Sequence, residues 1–318
     1  MSVRARYVVT RVGLTIPTLL AMSVFVFLLI RLVPGDPVRT MLGFRATPEN
    51  VRTIRHELGL DRPLLSQYFS WLGGIFHGDL GQDYISHESL TQLLRERIPV
   101  TLELTIASMA LALLVGVPLG VIAASGRRLG KATASVFTIA GISIPDFWLG
   151  TILILVFAAK LGWLPPTGYV PLSEDPLQNL RYMTLPVLTL ATGEAAYILR
   201  TTRASMQETL ERPFVTFLRA KGLRRKAIVY KHALRTASLP IVTVAGIQFG
   251  VLLGGAIVVE TLFGLPGVGK LVVTAINQRN YTVVQGSVLV IAALFIVVNL
   301  VTDLLYGLLN PRLGGERT

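Results

Sequence analysis

Residues 200–240 read RTTRASMQETLERPFVTFLRAKGLRRKAIVYKHALRTASLP, and they lie between two strongly apolar segments. This stretch holds ten basic residues against two acids, Glu208 and Glu211. Short loops that join membrane spans and carry an excess of Lys and Arg lie on the cytoplasmic side of the membrane. The stretch therefore predicts a membrane protein, and it fixes the orientation of the spans on either side of it.

A short helix is predicted inside this basic stretch, beginning at Pro213. Proline suits the first turn of a helix because its missing N–H would have no partner there. Phe214, Phe217 and Leu218 recur at i, i+3 and i+4, which places three apolar side chains on one face. Gly222 is well placed to end the helix in a left-handed conformation. We expect a helix of two to three turns that presents an apolar face to the cytoplasm.

The composition supports a membrane protein and excludes several other classes. Of the 318 residues, 52% are hydrophobic and only 15% are charged. The formal charge of +12 comes from basic residues between apolar segments, so membrane topology explains it and no nucleic-acid partner is expected. The absence of cysteine excludes disulfides and thiolate metal sites. The four histidines show no metal-ligand spacing, so no metal site is expected.

Six apolar segments are candidates for membrane spans. They cover residues 12–30, 104–124, 132–159, 183–199, 237–259 and 283–309. Pro145 interrupts the third segment and predicts a kink, while Glu194 makes the fourth segment the least convincing span. Because irregular backbone cannot face lipid, we predict an all-α, polytopic helical bundle with six transmembrane helices. Six spans return both termini to the cytoplasm.

These spans divide the chain into four parts. Residues 1–31 form the cytoplasmic N-terminus and first transmembrane helix, 32–97 an extracytoplasmic segment, 98–309 a five-helix core with the basic loop 200–237, and 310–318 a cytoplasmic tail. In the extracytoplasmic segment, residues 34–37 (PGDP) predict a turn. Thr47 and Pro48 predict the start of a helix. The aromatic-rich run 68–76 is typical of a membrane interface.

Residues 264–270 read GLPGVGK and match the first seven positions of a phosphate-binding P-loop. The eighth position holds Leu271, where a P-loop needs Ser or Thr to hold magnesium, and the predicted topology puts the segment outside the cell. We interpret it as a turn that leads into a short amphipathic helix. No nucleophile–base pair stands out elsewhere in the sequence, so no catalytic residues are expected.

Five acidic residues lie within or near the predicted spans: Glu103, Asp146, Glu194, Glu260 and Asp303. Glu103, Glu260 and Asp303 lie near span ends, where we expect them to reach water. Asp146 and Glu194 lie deeper, where a charge is costly and usually faces a cavity or a partner. Either one or both of them line a polar pathway that meets a cationic group of a passing solute, or they cap a kinked helix or pair with a basic neighbour such as Arg200.

Several segments together resemble one family of membrane proteins. Residues 219–223 (RAKGL), 231–235 (KHALR) and 239–240 (LP) resemble the cytoplasmic coupling loop of ABC-importer permeases. The similarity is strongest to the branch that serves dipeptides, oligopeptides, glutathione and nickel. Further matching segments are 32–37 (LVPGDP), 143–150 (SIPDFWLG), 259–263 (VETLF), 266–267 (PG), 303–306 (DLLY) and 310–312 (NPR). The long segment after the first span resembles the B-type permease of the pair.

The resemblance implies a type I ABC importer permease fold and a division of labour. The chain would bind no nucleotide itself, because ATP and magnesium would bind to two partner ATPase subunits. A second, homologous permease would complete the translocation pathway, and an extracytoplasmic solute-binding protein would deliver a peptide-like substrate. The implied location is the cytoplasmic membrane of a bacterium or archaeon.

The resemblance also implies roles for two groups of residues. The ATPase-coupling group is Phe214, Phe217, Leu218, Arg219, Ala220, Lys221 and Gly222. The apolar members would be buried anchors, Arg219 and Lys221 would face acidic groups on the ATPase, and Gly222 would permit a sharp exit. The loop expected to contact the solute-binding protein holds Gly264, Pro266, Gly267, Val268 and Gly269.

One departure and one alternative remain. The wider importer family begins this loop with Glu-Ala-Ala, whereas this chain has Thr216, Phe217 and Leu218 at that place. The alternative function is a stand-alone transporter driven by an ion gradient. Such carriers often contain inverted repeats with paired broken helices, and we find no such repeat in the sequence.

Overall fold

The computed structural model describes residues 3–32, 38–39, 46–57, 59–126 and 128–309, and it is helical throughout these ranges except for turns and one isolated bridge between Gln82 and Ser89. The helices are α1 (Val3–Arg31), α2 (Pro48–Glu57), α3 (Leu64–Phe76), α4 (Leu90–Ser125), α5 (Arg128–Ser143), α6 (Asp146–Lys160), α7 (Pro176–Glu211), α8 (Pro213–Ala220), α9 (Arg225–Phe263), α10 (Val268–Asn277) and α11 (Tyr281–Leu309). The predicted all-α class is therefore confirmed.

Four of the described helices are long and apolar enough to cross a membrane: α1 over Thr10–Leu29, α4, α9 and α11 over Tyr281–Leu304. Together α5 and α6 make a fifth candidate span, bent by 102° at the break. Pro145 lies at this break, so the predicted kink is confirmed. The fourth predicted span lies in α7, whose 36 residues extend about 54 Å. Helix α7 is less apolar than α1, α4, α9 and α11, because polar side chains such as Glu194 interrupt its apolar part.

The centre of the bundle is formed by α4, α7 and α9. Two glycines let α4 approach α7 closely. A Cβ atom at Gly116 would lie 2.7 Å from the Ala195 carbonyl oxygen, and one at Gly120 would lie 2.5 Å from the Thr202 Cβ. Small residues at such crossings allow helix backbones to approach each other in membrane proteins. Polar residues in the middle of α7, such as Thr189, Glu194 and Thr202, are buried by this packing, and so they do not face lipid.

The ends of the bundle differ. We call the end that holds α8 and loop 200–237 the basic end, and the end that holds α10 the opposite end. Because α9 connects α8 to α10 through 39 residues, or about 58 Å, these two short helices lie at different ends. At the basic end Arg11 of α1 pairs with Asp303 of α11 at 3.0 Å.

The segment predicted to be extracytoplasmic is partly helical. The predicted start of α2 is confirmed, since Thr47 Oγ1 accepts a hydrogen bond from Asn50 N at 3.2 Å. The predicted turn at residues 34–37 and the predicted tail 310–318, with its NPR motif, lie outside the described residues. The core begins earlier than predicted, because α4 starts at Leu90 rather than near residue 98. In the first two turns of α4, Leu90 and Leu94 are buried in a cluster with residues of α10.

Candidate functional site

At the basic end, α8 forms as the sequence predicts. Arg212 adopts an extended conformation that separates α7 from α8, and Pro213 occupies the first helical position. Gly222 has φ +76°, and Leu223 N donates to Leu218 O at 3.2 Å across the turn. This left-handed termination is the one that glycine favours.

The predicted apolar face of α8 is divided between the protein interior and the surface. Val215 is completely buried, and Phe214 and Leu218 are partly buried. Phe217 is 58% exposed, and the Lys221 Nζ lies 4.5 Å from the centroid of its ring. The anchor inside this chain is therefore Val215, which the sequence reading missed. Val215 and Leu218 also have helical spacing, so the periodicity permitted this second face.

The remaining predicted coupling residues, Arg219, Ala220, Lys221 and Gly222, are exposed. A groove of about 840 Å³ lies beside α8. Its polar lining comes from Ser125, Gln207, Glu211, Thr216, Arg219 and Arg225. Arg225 donates a hydrogen bond to the Ser125 carbonyl oxygen, which fastens the start of α9 to the end of α4. The basic end thus combines an exposed helix with a polar groove.

Inside the bundle, the structure places Asp146 near Glu194. Glu194 on α7 is buried, and Gln248 Nε2 of α9 donates to its Oε2 at 2.9 Å. The Asp146 carboxylate lies between α7 and α9. A Cβ at Gly193 would be 3.6 Å from its Oδ1, and one at Gly255 would be 4.0 Å from its Oδ2. Asp146 is also close enough to interact electrostatically with Glu194.

The alternatives for these two acids can now be compared with the geometry. Asp146 is the first residue of α6 and Pro145 is its N-cap; the Asp146 carboxylate faces α7 and α9, not the N–H groups of its own first turn. Glu194 pairs with Gln248 and not with Arg200, which is exposed. Gln248 was missed by the sequence reading. Its signal was an amide side chain in an otherwise apolar span, where a polar group usually has a partner.

At the opposite end, Glu260 was expected to reach water, and this expectation is wrong. Its exposure is 0%. Thr101 Oγ1 of α4 donates to Glu260 Oε1 at 2.6 Å, and Lys270 N of α10 donates to Oε2 at 2.9 Å. Thr101 Oγ1 in turn accepts from Val268 N at 2.9 Å. These donors replace water, so the chain folds back over the carboxylate without leaving it unpaired.

The same geometry explains the GLPGVGK sequence. Gly264 ends α9 with φ +70°, and a Cβ at Gly267 would overlap the Glu260 carboxyl group. A Cβ at Gly269 would lie 2.6 Å from the Ile257 Cα. The predicted turn and short amphipathic helix are confirmed, since α10 buries the apolar side chains of Leu271 and its neighbours. The N–H groups at the start of α10 bind the chain's own side chains, where a P-loop would bind phosphate.

Burial limits what the loop predicted to contact a solute-binding protein can present. Gly267, Val268 and Gly269 are buried, whereas Pro266 is exposed and Gly264 is partly exposed. Only the latter two reach the surface of this chain.

Two further acids keep partners near the bundle ends. Glu103 of α4 accepts a hydrogen bond from Tyr169 Oη at 2.7 Å, and Asp303 pairs with Arg11. Tyr169 lies in the loop between α6 and α7. Burial, together with the hydrogen bond and charge of Glu103, raises the pKa of Tyr169 above its ordinary value of 10.0. Among the described residues, no group of three or more His, Asp or Glu side chains is arranged to hold a metal ion.

The chain is similar to proteins of known family. A family model described as "Binding-protein-dependent transport system inner membrane component" matches residues 116–315. A second one, described as "Binding-prot-dependent transport system membrane comp, N-term", matches residues 4–105. The di/tripeptide transport system permease protein DppB of Pseudomonas aeruginosa (strain UCBPP-PA14) is 40% identical, over 98% of this chain and 99% of that protein. The glutathione transport system permease protein GsiC of Escherichia coli O6:H1 is also 40% identical, over 96% and 97% of the two chains.

Solved structures support the fold assignment. Two crystal forms of the MetNI methionine ABC transporter in inward-facing conformations contain a chain that superposes with TM-scores of 0.54 and 0.56. In both cases the identity is 21%, and the match covers 69% of this chain and 97% of the other. This likeness shows the type I ABC importer permease fold.

Proposed function

This chain belongs to the family of binding-protein-dependent transport system inner membrane components, and we propose that it is the permease subunit of an ATP-driven ABC importer for di- and oligopeptides. The substrate class follows the relatives that carry di- and tripeptides and glutathione in their names. The observation that carries the proposal is α8, a short helix that presents Phe217, Arg219 and Lys221 at the surface of the basic end.

We place the basic end in the cytoplasm of a bacterial or archaeal cell, with both termini on that side of the cytoplasmic membrane. Loop 200–237 supports this orientation because short loops rich in Lys and Arg remain on the cytoplasmic side. The opposite end then faces outward. There Pro266 and Gly264, which reach the surface, are the proposed contacts of an extracytoplasmic solute-binding protein.

Each of two ATPase subunits receives one coupling helix, this chain supplying one and a homologous second permease the other. Phe217 enters an apolar pocket of the ATPase in the helix-in-groove mode, and the cations beside it face acidic groups. ATP and Mg²⁺ are held by the ATPases. The chain described here supplies no catalytic group.

Movement of α8 would be transmitted through rigid helices to the buried side chains of Glu194 and Gln248. Val215 fixes α8 to this chain, and α8 packs on both the end of α7 and the start of α9. Glu194 lies on α7 and its partner Gln248 on α9. A rigid-body tilt of one helix against the other would therefore open or close the contact between these two side chains.

We assign Asp146 and Glu194 to the translocation pathway, where they would meet the amino group of a passing peptide. Charged groups held at membrane depth mark solute pathways in many transporters. The test is uptake of a radiolabelled dipeptide into proteoliposomes that hold the complete complex. Asp146→Asn and Glu194→Gln should lower uptake, while Glu88→Gln, which removes an exposed acid at the opposite end, should not. Unchanged uptake of every substrate by both variants would remove these residues from the pathway.

The main test is co-purification from native membranes, with ATP hydrolysis measured in each eluate. Wild type should bring down an ATPase and a second permease, and Phe217→Asp should lose only the ATPase. The matched control is Tyr230→Asp, because Tyr230 is an exposed aromatic residue at the same end but outside α8. If wild type purifies alone and transports without any ATPase, the importer proposal fails and a stand-alone carrier replaces it.

A further inference from the structure

Helix α3 has an unusual composition for a segment outside a membrane. Its sequence LLSQYFSWLGGIF contains no charged residue, and charges appear only on either side, at Arg62 and Asp79. Its 13 residues extend about 20 Å, too short to cross a bilayer. Apolar segments of this length are buried in a protein core or lie at a membrane interface. None of its residues is buried, so the first possibility does not apply within this chain.

The contacts of α3 place it at membrane depth. Tyr68 Oη lies 2.9 Å from Ser23 Oγ, and the Tyr68 and Trp71 rings lie 5.2 and 5.7 Å from the ring of Phe27. Ser23 and Phe27 belong to the apolar span Thr10–Leu29. Ser23 is six residues, or about 9 Å, inside the end of that span. Side chains of α3 therefore reach below the surface of the bilayer.

Polar side chains lie where the contact between α3 and α1 ends. The Arg31 guanidinium stacks on the Phe27 ring at 3.4 Å and donates to Gln67 Oε1 at 2.8 Å. Arginine and tyrosine at the end of a span are typical of the headgroup region, where an apolar stem meets water. The polar ends of α3 and α1 thus lie at one level.

The chain that follows α3 fastens the segment to a second span. Asn280 Nδ2, just before α11, donates to Asp83 Oδ1 at 2.6 Å, and Gly81 lies close against Thr282. With α1 on one side and the start of α11 on the other, α3 is held at the opposite end of the bundle. These contacts hold α3 at the level where the two spans end.

Large apolar side chains of α3 remain exposed. Leu65, Phe69 and Phe76 share a second face by helical spacing, where Leu65 is 73% exposed and Phe76 is 78% exposed; Phe69, and Leu64 at the first turn, are also mostly exposed. An apolar patch of this kind is rare on a surface that faces water. Acyl chains fit these side chains because the helix offers no charge for a polar partner, and because α3 packs on α1, an apolar span whose own Val24 and Leu28 are exposed.

We propose that α3 lies in the boundary between headgroups and acyl chains in the leaflet at the opposite end of the bundle, with Leu64, Leu65, Phe69 and Phe76 in the lipid. Part of the segment 32–97 then lies in the membrane boundary and anchors the outer ends of α1 and α11. Amphipathic helices in such positions bury their apolar face about 5–10 Å into the boundary, which agrees with the depth of the Tyr68 contact.

The absence of cysteine gives a direct test. Single variants Leu65→Cys, Phe69→Cys and Glu88→Cys receive a nitroxide label, and the complete complex is placed in nanodiscs of phosphatidylcholine and phosphatidylglycerol. Collisions with oxygen, which concentrates in lipid, are compared with collisions with a water-soluble nickel chelate. The oxygen-to-nickel ratio should be several-fold higher at Leu65 and Phe69 than at Glu88, an exposed residue of the same segment.

Two results would overturn the proposal. A ratio at Leu65 and Phe69 equal to that at Glu88 would show that α3 faces water. Protection from both reagents in the complete complex, lost when the chain is reconstituted alone, would show that a protein subunit covers this face in place of lipid.

Discussion

The two short helices at the ends of the bundle have the same local pattern and different environments. At the basic end, α8 has eight residues, and at the opposite end α10 has ten; each follows a long helix and is amphipathic. In α10 the buried residues are Val268, Gly269, Leu271, Val272 and Ala275. In α8 only Val215 is buried. An amphipathic helix can therefore complete the core of its own chain or remain available to another chain.

Hydrogen bonding at the first turn explains the difference. The start of α10 is fixed by Glu260 of α9 and Thr101 of α4, so three helices meet at one buried carboxylate. The start of α8 has Arg212 as its N-cap, and the Arg212 side chain donates back to Glu208 of α7 and makes no capping hydrogen bond to α8. We infer that α10 moves as one body with α4 and α9, whereas α8 is held by Val215 and leaves Phe217 to a partner.

Glu260→Ala should have the largest effect, because it releases α10. The substitution leaves buried N–H and hydroxyl donors without an acceptor, and each such group costs about 1–3 kcal/mol. We expect the melting temperature of the purified chain in detergent to fall by on the order of 10 °C. Glu260→Gln keeps one acceptor oxygen, so its melting temperature should fall less. Thr261→Ala, at the exposed neighbouring position, is the control, and equal melting of Glu260→Ala and this control would refute the role of the carboxylate.

Val215→Ala and Phe217→Ala should separate the two faces of α8. Val215 is completely buried, and its removal should cost about 1.5–3 kcal/mol of unfolding free energy. Phe217 is exposed, so its removal should change stability by less than about 0.5 kcal/mol but should weaken binding of the ATPase. Melting curves and co-purification are measured on both variants. Loss of stability in Phe217→Ala with normal ATPase binding would reverse the assignment.

Gly267→Ala should lower the stability of the chain more than Gly222→Ala, for a steric reason. A side chain at Gly267 overlaps the Glu260 carboxyl group, whereas Gly222 has open space and only its left-handed backbone opposes a side chain. Overpacking of this kind costs about 1–3 kcal/mol, and the left-handed penalty about 1 kcal/mol. The melting temperature of Gly267→Ala should be lower than that of Gly222→Ala, and both should be lower than that of wild type. The opposite ranking would mean that α10 adjusts more easily than its hydrogen bonds indicate.

Local signals in the sequence predicted α8, its termination at Gly222, the bend at Pro145 and the cap at Thr47, because each depends on neighbouring residues alone. The sequence did not predict the partner of Glu260, since Thr101 lies 159 positions away. It also could not decide between Val215 and Phe217 as the inward side chain, because periodicity defines an apolar face without saying what packs on it. The contact between Glu194 and Gln248 depends on the packing of α7 against α9, which residues 54 positions apart do not reveal in the sequence.

Tyr169→Phe should give a small loss of stability, and it extends the comparison to pH. Tyr169 ties the loop between α6 and α7 to Glu103, two residues after Thr101 on α4, so it adds a second fixed point at the opposite end. Loss of the hydrogen bond should cost about 1 kcal/mol. Because burial raises the pKa of Tyr169 in the folded chain, the neutral phenol is the stabilised form. Its contribution is complete below the unfolded pKa of about 10 and is lost as the pH rises through the higher folded value. The melting difference between wild type and Tyr169→Phe should therefore stay constant from pH 7 to about 9 and shrink only in stronger base. A difference that already disappears near neutral pH would show that the phenol is not held by Glu103, and Tyr169 would then not be a second fixed point beside Glu260.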